Sequence, residues 1–435
     1  MNTDILDVVK AKKDQLINCR RDLHKHAEAA WTEFRTASIV AETLIRLGYQ
    51  VSVGEEVIDA EVMMGVPSQQ ELISHQERAI AQGADPKWVG KMQGGKTGVM
   101  GVLHFAQPGP VVAFRFDMDA NDVLEATLEE HRPYREGFAS VNSGAMHACG
   151  HDGHTSIGLT LAEILAEVKN ELTGTVKLIF QPAEEGVRGA KAMVSCGIVD
   201  DVDYFVGLHL GIGLKKMGTM TCNTVGFLAT TKLDAVYNGV PAHAGAAPET
   251  GQNALLAAST AALNLHAISR HSQGASRINV GVLQAGTGRN VIPDKAILKL
   301  ETRGTTSEIN EYMYKRALTI LEAAAVMYDV KLTVSPMGGA ANCMNTPELV
   351  ARLEQVAAKS NLFNSILPEG NIGGSEDCTY FMERVQQKGG QVAYLMVGTE
   401  LAAGHHDSRF DFDEESLVTA ASLLSQAAVE LLSKN

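Results

Sequence analysis

The ten residues 146–155, MHACGHDGHT, hold Cys149, His151, Asp152 and His154 directly ahead of a helical run. Thiolate and imidazole are preferred ligands of zinc and related divalent metals, so donors at this density point to metal binding. A buried cysteine with polar loop neighbours is the plainer explanation of the segment taken alone. The pattern recurs, however, at the ends of neighbouring apolar runs. TVKLIF (175–180) leads into Gln181-Pro182-Ala183-Glu184-Glu185-Gly186, DYFVGLHL (203–210) carries His209, and PVVAFRF (110–116) is followed by Asp117 and Asp119. Glu184 and Glu185 alone read as a solvated acidic face; beside this cluster a metal site is the better reading.

Adjacent residues point in different directions, so one glutamate can bind metal while the other holds a water for general-base attack. Its proton then goes to a leaving amine. That is hydrolase chemistry, not redox chemistry. No G-x-S-x-G elbow, Walker loop or H-E-x-x-H helix is present, and Gly286-x-Gly288 lacks the strand-to-helix context of a dinucleotide fingerprint.

The elements that must position these groups follow from periodicity. Residues 16–47 read as an amphipathic helix stopped by Gly48. Residues 54–97 are polar and helix-prone and read as an inserted excursion, a cover for a site rather than a core element. Four short β-rich runs then alternate with the helical SIGLTLAEILAEV (156–168) and the short segment 189–194, which predicts an α/β sheet covered on both faces. In such sheets functional groups collect where the strands end. From about Gly226 the order β-α-β-β-α-β predicts a ferredoxin-like unit over 226–336. It interrupts a larger domain made of 1–225 and 337–435, the latter with a helix (346–359), a strand (392–398) and a closing helix (414–432).

Composition narrows the function classes. With 435 residues the chain can bury a substantial core without staples, and its net charge of −14 repels phosphate backbones and anionic membranes. Neither nucleic acid nor a membrane is expected as partner. Six scattered cysteines without a C-x-x-C pair, an N-terminus lacking a signal-peptide apolar run, and no apolar stretch of about 20 residues predict a reduced, cytoplasmic protein.

The succession Asp117-Met118-Asp119, CGHDGHT, QPAEEG, His209 and an inserted split-βαβ unit resembles the two-metal aminoacylase and carboxypeptidase superfamily. Cys149-x-His151 in place of carboxylate ligands resembles the subgroup with hippurate hydrolase and the indole-acetyl-amino-acid hydrolases. Met64-Gly65 and the segments 131–140, 274–293 and 410–414 extend the likeness over essentially the entire chain.

The resemblance implies a mixed sheet flanked by helices with an inserted lid and dimerisation domain, and two divalent ions, Mn2+ or Zn2+. The implied ligands are Cys149, His151, Glu185, His209 and His406, the last from a His-x-x-x-Phe pattern ending at Phe410; the adjacent His405 stays open. Ser408 stands where the subgroup commonly has proline. Glu184 is the implied base. Asp119 would orient a ligand imidazole, and His154 would do likewise or be a satisfied core histidine. In PAHAGAAPETGQNAL, His243 resembles the lid histidine that polarises the scissile carbonyl, often in the partner protomer's site, which implies a dimer. Asn290 resembles a substrate-side residue; Arg289 and Arg303 are candidates to hold a carboxylate, or plain strand-surface charges. Ser375-Glu376-Asp377 resembles a segment near the site and reads equally as a helix cap. His24, His26, His75, His104, His131, His266 and His271 read as structural or surface.

The expectation is a metal-dependent amidohydrolase of small N-acyl amino acids, most of all with an aromatic acyl group, acting as a homodimer or with a related second subunit. The rival of another class is a non-catalytic partner subunit with a closed, four-ligand structural zinc.

Overall fold

The computed structural model describes residues 5–433. Two compact units emerge: the larger comprises the chain through Val225, 343–373 and everything from Asp377 onward, the smaller 226–342 and 374–376.

The larger unit is built on an eight-stranded mixed sheet. Its centre is four mutually parallel strands in the order Thr173–Gln181, Gln107–Asp117, Tyr204–Leu210 and Gln391–Val397. These are the apolar runs of the sequence, and Phe114, Val176, Leu178, Val206 and Leu395 are all fully buried. Parallel pairing places their C-terminal ends along one edge, with Asp117 in register with Gln181 and Leu210 with Val397. The helix His151–Glu167 packs on strand Gln107–Asp117, and it is buried on every side over residues 151–165. Gly158 permits that approach, since a Cβ there would stand 2.6 Å from the Phe116 ring.

Two expectations are corrected here. Residues 16–47 form not one helix but two, Lys13–Lys25 and Phe34–Arg46. Between them Ala29 makes a parallel bridge to Ala120 and Trp31 takes φ 65°, so tertiary pairing overrides the helical period. The segment 54–97 is no excursion outside the core. Its helices Gln69–Ala81, closed by a Ser68–Glu71 capping box, and Pro86–Lys91 deliver Leu72, Trp88, Val89 and Met92 into the same apolar core as the sheet.

The smaller unit is a four-stranded antiparallel sheet with elements in the order β-α-β-β-α-β; Ala229–Asn238 lies between Lys331–Ala340 and Lys295–Gly304, and Ser276–Ala285 forms an edge. Helices Ala254–His266 and Ser307–Met327 bury their alanine-rich faces against it. The last strand bulges between Pro336 and Gly338 and continues to Ala340, so this unit extends past 336 to Asn342.

Among the described residues no helix is long and apolar enough to cross a membrane. All six cysteines are free thiols.

Candidate metal centre

The strand edge of the larger unit gathers the donors from separate segments. Gly150, at φ 92°, turns the chain into the helix His151–Glu167, so Cys149 and His151 flank its first turn. The His406 N–H donates to the Ala148 carbonyl at 2.8 Å, drawing the 404–410 loop against Cys149. Donor atoms of Cys149, His151 and His209 lie within 4.8 Å of one another, and so do those of Cys149, Glu185 and His406. The two triads share the sulfur. His405 belongs to neither; its ring lies against Phe410 at 5.0 Å, and burial lowers its pKa to about 4.

The ring tautomers suit metal ligation. His151 Nδ1 donates to the Asp119 carbonyl at 2.9 Å and His209 Nδ1 to the Leu210 carbonyl at 2.8 Å. Each ring therefore offers its Nε2 lone pair to the centre, and His151 Nε2, buried, has no hydrogen-bond partner among the described residues. Cys149 Sγ is 3.5 Å from His209 Nε2. Burial pushes the Cys149 thiol up to about 12, so without a cation it stays protonated. Burial would raise Glu185 too, but His406 and His151 hold it below the ordinary carboxylate range. Soft sulfur, imidazole and a carboxylate converging on a buried polar atom fit a divalent metal.

The two glutamates are presented by a strained loop. Ala183 and Val187 take φ 53° and 59°, and a Cβ on Gly189 would stand 1.8 Å from the Pro182 carbonyl oxygen. Three buried carboxylates hold it. Asp119 accepts the N–H groups of Glu184 and Glu185, Glu33 accepts that of Ala183 at 2.8 Å, and Asp377 accepts those of Gly189 and Ala190 at 3.0 and 2.9 Å. Burial raises both Glu33 and Asp119 above the usual range, helped at Glu33 by the charge of Asp119 and at Asp119 by the charge of Glu185. In the segment 375–377, Ser375 donates to the Leu228 carbonyl within the smaller unit while Asp377 ties down the glutamate loop.

His154 has both ring nitrogens engaged. Nδ1 donates to Asp117 at 2.6 Å and Nε2 accepts the Leu210 N–H at 3.0 Å, so the ring is a strut between two strand ends. Asp117 itself is paired with Arg115 at 2.6 Å.

In the smaller unit, His243 and Asn290 are brought together: His243 bridges Val291, and the Ala244 N–H donates to the Asn290 carbonyl at 3.1 Å. His243 Nδ1 accepts the N–H groups of Gly245 and Ala246, both at 3.1 Å, which leaves Nε2–H as an exposed donor. Arg289 is exposed, whereas Arg303 is closed by a two-pronged pair with Glu301 at 2.9 and 3.1 Å.

Sequence reasoning missed what lies behind the ligands. Arg20 is fully buried and reaches Asp152 at 2.8 Å, Asp411 at 2.9 Å and Glu414 at 3.2 Å, joining the neighbour of His151 to the segment after His406. The signal was a charge on the apolar stripe Leu16, Arg20, Leu23, His24. His24 and His131 are buried partners of Glu125. His147, also buried, is lowered to about 3 by burial.

The chain belongs to Peptidase family M20/M25/M40, which it matches over residues 113–430. It is accordingly a metal-dependent amidohydrolase of the peptidase type. Among its relatives, a p-aminobenzoyl-glutamate hydrolase subunit from Escherichia coli (strain K12) is 51% identical over 97% of each chain. Indole-3-acetyl-aspartic acid hydrolase of Enterobacter agglomerans is likewise 51% identical, over 95% of each. The crystal structure of an aminobenzoyl-glutamate utilization protein from Klebsiella pneumoniae superposes with a TM-score of 0.86 at 44% identity, covering 98% of both chains.

Proposed function

We propose that this chain hydrolyses p-aminobenzoyl-glutamate, a folate breakdown product, to p-aminobenzoate and glutamate. The observation that carries the hydrolysis is the paired presentation of Glu184 and Glu185, with Glu185 converging on Cys149 and His406 while Glu184 stands one residue away, and the similarity to the Escherichia coli subunit and the Klebsiella pneumoniae structure supports the substrate. Cys149, His151 and His209 would hold one divalent ion and Cys149, Glu185 and His406 a second, Mn2+ or Zn2+. Bound there, the cations supply Lewis-acid polarisation of the carbonyl and a lowered pKa for water.

The chain's own groups supply the proton transfers. Glu184 takes the proton of the attacking water as the new C–O bond forms. It then returns it to the nitrogen of glutamate as the C–N bond breaks. Asp119 keeps the base in place through the Glu184 N–H. His243, with Nε2–H fixed as donor, has the chemistry to stabilise the oxyanion. The Escherichia coli relative is by name one subunit of its enzyme, which supports work with a second chain, and the free thiols support a cytoplasmic location.

A second reading, hydrolysis of an indole-acetyl amino acid, is favoured by the equal identity of the Enterobacter relative. Release of free amino acid from a panel of N-acyl substrates, after metal removal and add-back of Mn2+ or Zn2+, separates the two. Preference for p-aminobenzoyl-glutamate is the expected result. A panel without any turnover by metal-loaded protein would favour the non-catalytic reading.

A further inference from the structure

Every other arginine of the larger unit has a carboxylate oxygen within 4.0 Å. Arg188 has none among the described residues. It stands three residues after Glu185, half-buried, and its guanidinium is held by neutral acceptors only. Nε donates to the Glu185 carbonyl at 2.8 Å and Nη1 to the Gly65 carbonyl at 3.2 Å. The backbone fixes it as firmly: the Arg188 N–H donates to the Ala183 carbonyl at 3.0 Å, and Val187 before it takes φ 59°. A cation half out of water without a counter-charge costs free energy unless something pairs it. This one is also ordered in advance, which lowers the entropy lost on pairing.

We propose that Arg188 binds the side-chain carboxylate of an acidic amino acid in the leaving half of the substrate. The assignment rests on the reading of Glu184 given above. Since Glu184 delivers its proton to the leaving amine, the amino-acid half lies on the side of the glutamate loop, and Arg188 is carried by that same loop. Nη2, which has no partner among the described residues, is free to donate to the incoming carboxylate. The two similar relatives, by name, act on conjugates of glutamate and aspartate. Gly65, from the segment 54–97, supplies one of the carbonyls that aim the guanidinium, which gives that segment a part in specificity.

The test compares p-aminobenzoyl-glutamate with the isosteric p-aminobenzoyl-glutamine on metal-reconstituted enzyme, wild type and Arg188→Gln. Charge-assisted pairing of this kind corresponds to about 10- to 100-fold in kcat/KM. The variant is expected to lose that factor on the glutamate conjugate and to stay within about threefold of wild type on the glutamine conjugate. Equal loss on both, or no loss, overturns the assignment. Should wild type turn over neither, the proposed reaction fails, and calorimetric binding of free L-glutamate decides for Arg188: binding lost in the variant supports it, binding unchanged overturns it.

Discussion

Asp119 holds Glu185 and its neighbour by their backbones: Oδ2 accepts the Glu185 N–H at 2.8 Å and Oδ1 accepts the Glu184 N–H at 3.0 Å. One buried carboxylate thus sets the relation between the proposed base and a proposed ligand. Asparagine has only one acceptor oxygen, so Asp119→Asn leaves one of these amides facing an NH2 group. The expected cost is about 1–3 kcal/mol of stability, with a larger proportional loss in kcat than in KM. Thermal unfolding and steady-state kinetics on the same preparation check this.

Cys149 is the shared member of both donor triads. A ligand that binds only the folded chain adds stability by mass action, about 2.7 kcal/mol at a hundredfold excess over Kd. Wild type should therefore melt at lower temperature after chelation and recover on metal add-back. Cys149→Ser should fold but show a much smaller metal-dependent shift, since a serine hydroxyl is a poor substitute for thiolate. An undiminished shift would remove Cys149 from the ligand set.

Arg20 reaches three carboxylates from a fully buried position, with its guanidinium 4.5 Å from the Phe412 ring centroid. Removing one partner of such a network leaves uncompensated charge, typically about 3–5 kcal/mol. Arg20→Met should be destabilised by that order, whereas Arg409→Met, at an exposed pair with Asp407, should change stability by less than about 1 kcal/mol. Denaturant titrations of the two variants decide.

Glu125 supplies a pH signature. Burial alone would raise it, but hydrogen bonds from His131 and His24 bring it down to about 2 from 4.5. A depressed folded pKa means that its stabilisation is complete above the unfolded value and is lost as pH falls from about 4.5 towards 2. The full contribution is about 3 kcal/mol. The stability gap between wild type and Glu125→Gln, followed by urea unfolding of metal-free protein, should be widest at neutral pH and narrow below pH 4.5. A gap independent of pH would contradict this role.

The strand ends were legible because a parallel strand buried on both faces writes itself as a continuous apolar run, and Asp117, Glu184 and His209 stand where those runs stop. His406 entered only through the family resemblance, which points to a histidine four residues before Phe410. The Arg303–Glu301 pair was legible in principle, since residues two apart share a strand face. What was not legible depends on chain-distant groups. The break at 26–33 is stabilised by a bridge to Ala120, and Glu33 meets an amide 150 positions away. No local periodicity encodes such contacts. The segment 54–97 misled because its buried residues, Leu72, Trp88 and Met92, are spread thinly among polar ones.

The most direct test of the proposed reaction is turnover of p-aminobenzoyl-glutamate by Glu184→Gln, with metal content measured in the same sample. Glu184 is assigned to proton transfer and not to ligation. The variant should therefore carry as much metal as wild type while kcat falls by about 100-fold or more. Normal turnover by the fully loaded variant would contradict the assignment of Glu184 as base and the mechanism built on it.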